Sequence, residues 1–239
     1  MCTLTYIPSS EHDFYFTHSR DENPKREFAS PSLREMEMFT VVSPKDLKAG
    51  GTWIMASTNR VACILNGAFE KHTPNPPYKH SRGIILDHLF SFKSFSDFLR
   101  EYDFKDLENF TLICWEDSKL YVLRWNGLKL FFKKLDPKKP YIFSSSTLYD
   151  RKQKELRKSW FSHWLNHNPK PSLEDILDFH LEAGDGNKSY SLRMKRGPIL
   201  ETLCVSSVYL QSSGMNFYYQ DLLKDTEYQL EIPELLKEC

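Results

Sequence analysis

Short apolar and β-branched runs separated by turn signals dominate the first half of the chain, and they predict strands. Residues 2–7 and 13–18 form one pair across a turn, and TWIMAS and VACILN form a second pair after Gly50-Gly51. The stretch between the pairs, SRDENPKREFASP, is polar and contains proline, so no strand is predicted there. HTPNPPYKH is predicted to be a loop because its prolines can neither donate to a ladder nor extend a helix.

Helical spacing appears in two later regions. Residues 82–102 have apolar side chains at helical intervals, with Ser94 as a predicted N-cap. A longer helix is predicted over 150–166, where Leu156, Trp160 and Trp164 form an apolar stripe. The next helix is predicted to begin near Ser172 and to end at Gly184.

Further strands precede and follow these last two helices. FTLICWE, KLYVLRW, LKLFFKKL and YIFSSS come before them, and ETLCVSSVYLQ and MNFYYQD close the chain ahead of a short amphipathic ELLKEC tail. Hairpin turns imply antiparallel pairing, and grouped helices suggest layers outside the sheets. The pattern therefore predicts one α+β domain over residues 1–239, with helices packed against two sheets.

Composition and charge narrow the possible partners. The 239 residues contain 32 Lys+Arg and 32 Asp+Glu, so the zero net charge gives no reason to expect nucleic-acid or anionic-membrane binding. The first residues lack the pattern of a secretory signal, and no run approaches the roughly 20 apolar residues of a membrane helix. A reducing cytoplasm is the location we expect.

The five cysteines lie at positions 2, 63, 114, 204 and 239 without any CxxC or CxxH pair. This spacing indicates neither a zinc module nor a disulfide framework, and no metal or cofactor is predicted. Cys63, Cys114 and Cys204 lie in apolar runs and are predicted to be reduced core residues.

Cys2 is the candidate nucleophile, although a single cysteine at this position is also compatible with a buried thiol in the first strand. Removal of Met1 would leave a thiol and a free α-amine on one residue. An α-amine has a pKa of about 7.7–8.0, so it can accept the thiol proton near neutral pH. N-terminal nucleophile enzymes use this arrangement.

A charged run, Arg20-Asp21-Glu22, directly follows Ser19 at the end of the second predicted strand. Such a run is usually a solvated turn. Arg20 could instead stabilise a thiolate or bind a carboxylate, and Asp21 or Glu22 could hold the α-amine. If the strand stays extended, Arg20 and Glu22 face one way and Asp21 the other.

Several motifs in order resemble the NRDE family, also called the transport and Golgi organisation 2 family. The motifs of the first half are MCTLTY, SRDEN, AGGTWIMAS, CILNGAF and YKHSRG, and RWNG, FSSSTLYD, RKSWFSHWL and TLCVSSV resemble its bacterial branch. Ser19 stands where the family motif has Asn.

The resemblance implies an N-terminal nucleophile hydrolase-like αββα four-layer sandwich with two antiparallel sheets. The family is similar in architecture to choloylglycine hydrolases and penicillin acylases, which cleave amides with an N-terminal Cys. Cys2 matches the position of the nucleophile. Arg20, Asp21 and Glu22 match the motif that names the family. Asn66 and the Gly67 N–H would supply the donors to the oxyanion. Ser145 or Ser146 falls where relatives carry Asn.

Two functions follow from this resemblance. The first is a cysteine amidohydrolase that acts on a C–N bond of a small molecule. The alternative is a non-catalytic trafficking protein that binds haem or a lipid such as acyl-CoA on the same scaffold. Neither function involves stable membrane insertion, and the sequence leaves the oligomeric state open.

Overall fold

The computed structural model describes residues 2–10 and 13–233, which form fourteen strands and four helices. The predicted ELLKEC tail and Cys239 lie outside the described residues. The strands of the first half are β1 (Cys2–Pro8), β2 (Phe14–Glu22), β3 (Phe28–Glu35), β4 (Thr40–Asp46), β5 (Ile54–Ser57), β6 (Arg60–Asn66) and β7 (Phe110–Glu116). The later strands are β8 (Lys119–Trp125), β9 (Leu130–Leu135), β10 (Tyr141–Ser144), β11 (Lys195–Arg196), β12 (Leu200–Gln211), β13 (Gly214–Asp221) and β14 (Thr226–Glu231). The helices are α1 (Ile84–Phe90), α2 (Phe95–Glu101), α3 (Arg151–His167) and α4 (Leu173–Glu182).

Two antiparallel sheets of seven strands each form the centre of the molecule. In the first sheet the order is β10-β1-β2-β12-β13-β14, with β11 paired to β12. In the second sheet the order is β3-β4-β5-β6-β7-β8-β9. Every described strand pair is antiparallel, as the predicted hairpins imply.

Three apolar clusters show the order of the layers. The intersheet core joins alternate residues of both sheets, among them Leu4, Phe16 and Leu65. A second cluster packs α1 and α2 on the outer face of the second sheet, and a third packs α3 and α4 on the outer face of the first. The layers therefore run helix, sheet, sheet, helix, which confirms the predicted four-layer sandwich.

Helix boundaries follow the capping signals. Ser94 accepts a hydrogen bond from the Asp97 N–H at the start of α2, and Ser172 forms a capping box with Asp175 at the start of α4. Region 82–102 contains two helices, and the second begins directly after Ser94, as the predicted N-cap implies. Helix α4 ends at Glu182, with Ala183 as its C-cap, two residues before the predicted end.

Four strands were missed by the sequence pattern. β3 and β4 occupy much of the region around the polar, proline-containing stretch, and β2 continues to Glu22 rather than ending at residue 18. β11 is a two-residue strand, and β14 follows the two strands that were expected to close the chain. Most side chains of β3 and β14 are exposed or half-buried, so neither strand shows the apolar alternation of a core strand.

Candidate functional site

Cys2 and Arg20 lie side by side on two neighbouring strands inside the first sheet. The register of β1 and β2 pairs Cys2 directly with Arg20, so the two side chains project from the same face. Both are almost fully buried, with 2% and 3% of their surfaces exposed. The sequence places them eighteen positions apart, and antiparallel pairing brings them together.

A cavity of about 150 Å³ opens at this pair. Four of the five predicted site residues line it: Cys2, Arg20, Glu22 and Asn66. The remaining wall is formed by Arg26, Asp46, Gly51, Thr52, Trp53, Ile64, Ser81, Arg82 and Gly83. The cavity therefore combines a thiol with three guanidinium groups and two carboxylates.

Arg20 is fixed from two directions. Its Nη2 donates to Asp46 Oδ2 at 2.9 Å, and its Cζ lies 4.1 Å from the ring centroid of Trp53. Asp46 also accepts from Arg26 Nε at 2.8 Å. The Nη1 of Arg20 is buried and has no hydrogen-bond partner among the described residues. This donor is free to bind an acceptor that enters the cavity.

Cys2 is held as a protonated thiol. Burial raises the pKa of the Cys2 thiol above its ordinary value, Asp21 adds to the rise, and Arg20 opposes it. A thiol in this state needs a base close by before it can attack a carbonyl carbon.

Asp21 projects from the opposite face of β2, as the alternation of an extended strand predicts. Its Oδ2 accepts from the Tyr149 hydroxyl at 2.9 Å, and its Oδ1 accepts from Thr202 Oγ1 at 2.7 Å. Burial raises the pKa of Asp21, while the positive charge of Arg157 opposes that rise. Asp21 does not line the cavity, but it lies one register position beyond the Cys2–Arg20 pair, next to the start of β1.

Arg157 is the residue near this site that the sequence pattern missed. It is fully buried on α3, stacks on the Tyr149 ring at 3.6 Å, and donates to Thr3 Oγ1. It also donates to the backbone oxygens of Tyr190 and Ser191, at 3.0 and 2.6 Å. A signal was present, because Arg157 follows the stripe residue Leu156 and lies four positions before buried Phe161.

Trp160 and Trp164 of the predicted stripe are half-buried against the α3–α4 cluster. The buried face of α3 is thus centred one residue beyond the predicted stripe, on Arg157 and Phe161.

Asn66 ends β6 with its side chain at the cavity and its carbonyl oxygen turned toward the first sheet. That oxygen accepts from Ser145 Oγ at 2.9 Å and from the Ser146 N–H at 3.1 Å. The Gly67 N–H donates to Asn109 O at 2.9 Å. The prediction that this N–H is an oxyanion donor is therefore wrong, because the donor is already occupied.

Ser145 also holds the start of β1. Its N–H donates to the carbonyl oxygen of Cys2 at 2.9 Å. Ser19, which replaces the Asn of the family motif, lies on the opposite face of β2. Its Oγ is 2.7 Å from His180 Nδ1. Ser19 does not line the cavity, so this departure leaves the lining of the cavity unchanged.

Two glycines let the opposite cavity wall close tightly. The Thr52 N–H donates to Gly83 O at 3.2 Å, and a Cβ on Gly51 would overlap the backbone of Gly83. Arg82, between Ser81 and Gly83, is paired with Glu108 at 3.1 Å. Gly51 therefore allows a close approach of two backbone segments.

The three core cysteine predictions are confirmed. Cys63, Cys114 and Cys204 are free thiols, each fully buried. No helix among the described residues is long and apolar enough to cross a bilayer.

Solved structures with a similar fold include an acylase and a hydrolase. Penicillin V acylase from Agrobacterium tumefaciens superposes with a TM-score of 0.61 at 10% identity, over 98% of this chain and 87% of that chain. A C2A mutant of the conjugated bile acid hydrolase from Clostridium perfringens superposes with a TM-score of 0.60 at 9% identity, over 97% and 92%. At these identities the likeness shows the fold, which is that of the N-terminal nucleophile hydrolases.

Sequence comparison adds the family. No curated protein matches the chain. The model of the Transport and Golgi organisation 2 family matches this sequence over residues 1–212. The match includes both strands that carry Cys2 and Arg20, the Asn66 segment, and helices α3 and α4. The chain belongs to the Transport and Golgi organisation 2 family.

Proposed function

We propose that this protein is a cysteine N-terminal nucleophile hydrolase that cleaves the amide bond of a small molecule. The observation that carries the proposal is the placement of Cys2 at the start of β1, beside Arg20, in a cavity that Asn66 also lines. The fold, shared with an acylase and a bile acid hydrolase, supports the same chemistry.

The reaction begins after removal of Met1, which frees the α-amine of Cys2. The amine accepts the thiol proton while Sγ attacks the carbonyl carbon, and a C–S bond forms as the carbonyl oxygen becomes an oxyanion. The protonated amine then gives the proton to the leaving nitrogen, and the C–N bond breaks to leave a thioester. Water, activated by the same amine, releases the acid and restores the thiol.

The other predicted site residues stabilise the oxyanion and hold the amine in this proposal. The Asn66 side-chain amide donates to the oxyanion in place of the occupied Gly67 N–H. The unpartnered Nη1 of Arg20 is the second donor available in the cavity. Asp21, beside the start of β1, would hold the protonated amine, and Glu22 lines the cavity.

Two measurements test this proposal together. Intact mass of the purified protein should show that Met1 has been removed. Hydrolysis of a panel of N-acyl amides, starting with penicillin V and a conjugated bile acid, should be lost in Cys2→Ala. Cys114→Ala, which removes a buried thiol of the outer cluster, should retain turnover.

Turnover that persists in Cys2→Ala, or a mature protein that keeps Met1, contradicts the proposal. The alternative trafficking role is tested in the same preparations by titration with haem and with acyl-CoA. Binding that is unaffected by Cys2→Ala, with no amide cleaved, would favour the carrier. The cytoplasmic location stays part of the proposal, and the four free thiols support it.

A further inference from the structure

A second cavity of about 280 Å³ lies where the edge strand β10 meets α3 and the second sheet. It shares no lining residue with the Cys2 cavity. Side chains from both sheets and from α3 converge on it, among them Phe143, Arg124 and Lys154.

The charges around this cavity are unbalanced. Arg124, Lys154 and Lys158 line it, and no described carboxylate does. Lys158 is paired with Glu155 at 2.7 Å, on the exposed side of α3. Arg124 has neither a hydrogen bond from its guanidinium nor an ion pair within the described part of the chain, and it is half-buried. In contrast, the Cys2 cavity sets two carboxylates against its three arginines.

Lys154 is held in place without a countercharge in contact. Its Nζ donates to Phe69 O at 2.9 Å and to Ser146 Oγ at 2.8 Å, both neutral acceptors. Burial lowers the pKa of Lys154, and the charge of Arg124 lowers it further, while Glu70 opposes these effects. Two cations brought together in this way repel each other, and an anion placed between them would relieve the repulsion.

Beside the hydroxyl groups of Thr111, Ser144 and Ser146, the wall has apolar side chains that are partly exposed. Leu65, Ala68 and Phe143 line the cavity, and Phe69 has 47% of its surface exposed. The Phe69 ring meets Phe131 edge to face at 4.9 Å and lies under the Arg124 guanidinium at 5.4 Å. A larger cavity of about 580 Å³ shares Phe69, Ser146, Lys154 and Lys158 with it, so a ligand body has room to extend.

We propose that this cleft binds an organic acid, with its carboxylate between Arg124 and Lys154 and its apolar body against Phe69 and Phe143. A guanidinium can bind a carboxylate with two parallel hydrogen bonds, and the ammonium supplies a third. The site does not depend on the proposed amide hydrolysis, since none of the five proposed catalytic residues lines it.

A matched pair of probes tests the proposal. Titration calorimetry with octanoate should show binding, and octanamide, which has the same body without the charge, should bind about tenfold more weakly or worse. Arg124→Gln and Lys154→Gln should each weaken octanoate binding by about tenfold. Raising the salt concentration should weaken octanoate binding but leave octanamide binding unchanged.

Two control variants separate this site from the rest of the molecule. Arg100→Gln removes an exposed arginine of α2 and should leave octanoate affinity unchanged. Cys2→Ala should also leave it unchanged, so a failure of the hydrolase proposal is distinguishable from a failure here. Equal binding of octanamide and octanoate, unchanged octanoate affinity in both folded cleft variants, or no octanoate binding at millimolar concentration overturns the proposal.

Discussion

Arg20 and Asp21 are neighbours in the chain, yet they lie in two different environments. Arg20 projects into a cavity, where one of its nitrogens is left unpartnered. Asp21 projects toward α3, where both of its oxygens accept hydrogen bonds from buried hydroxyl groups. The contrast teaches that a contiguous charged motif on an extended strand is divided between two faces. One face can contact a ligand, and the other sets the position of the strand.

The two faces also differ in how their charges are compensated. Asp46 on the cavity face has two arginine partners, so the loss of one leaves it paired. On the α3 face, Arg157 is the arginine whose charge acts on Asp21, and it also binds two backbone oxygens. We therefore expect substitutions on the α3 face to cost more stability than substitutions on the cavity face.

The largest expected effect comes from Arg157→Met. Removal of the buried cation takes away one charge that opposes Asp21 and leaves two carbonyl oxygens without this donor, which should lower the free energy of unfolding by roughly 3–5 kcal/mol. Urea unfolding measures this loss. Arg151→Met, at an exposed position on the same helix, should change it by less than about 0.5 kcal/mol. Similar losses in the two variants would contradict the proposed role of Arg157.

A smaller effect is expected from pH on the same face. His180 bridges Ser19 and Thr5, and burial lowers its pKa to about 3. The unfolded chain binds a proton at His180 below about pH 6.5 and the folded chain does not, so stability is lost as pH falls. Between pH 7 and pH 5 this group should cost about 2 kcal/mol.

His180→Gln isolates that contribution. The variant lacks the titrating ring, so its loss of stability between pH 7 and pH 5 should be smaller than that of the unmodified protein. Urea unfolding at the two pH values compares them, and His18, which is buried in both proteins, cancels in the difference. An equal loss in the two proteins would show that His180 titrates normally in the folded state.

The smallest change in stability is expected on the cavity face, from Arg20→Gln. Because Asp46 keeps Arg26, the loss should be about 1.5 kcal/mol, at the low end for a hydrogen bond to a charged group. Loss of the Arg20 charge should nevertheless raise the pKa of the Cys2 thiol further and slow its alkylation by iodoacetamide at neutral pH. The pH profile of alkylation measures this shift.

Arg26→Gln is the matched control, because it removes the other partner of Asp46. It should leave the alkylation profile of Cys2 nearly unchanged. If Arg20→Gln and Arg26→Gln shift the profile equally, the effect belongs to Asp46 and not to the contact between Arg20 and Cys2.

The sequence predicts the layered fold well where apolar alternation and capping residues coincide. Ser172 identifies the start of α4, and Asn126-Gly127 marks the turn between β8 and β9. β3 and β14 escape prediction because their exposed side chains carry no alternation. That residues 1–239 form a single domain stays a prediction.

The candidate site shows a similar division. Cys2, Arg20 and Asn66 can be named from motifs, and the divided faces of β2 follow from strand geometry. The Gly67 N–H is occupied because it donates to Asn109 O. Asn109 is distant in sequence, so no local pattern reveals this hydrogen bond. The helical spacing of Arg157 and Phe161 indicates a buried position, but the groups that Arg157 binds, such as Thr3 Oγ1, are distant in sequence, so the pattern does not give its role.

The position of β1 has a consequence for the order of events during synthesis. β1 comes before the other described strands along the chain, yet it lies between β2 and β10, and β2 pairs in turn with β12. The sheet around Cys2 therefore cannot be completed until more than two hundred residues have left the ribosome. Until then β2 lacks its second partner strand, β12, and β1 lacks β10 until residues 141–144 are made. The sheet that carries Cys2 is thus completed only when strands from both halves of the chain are present.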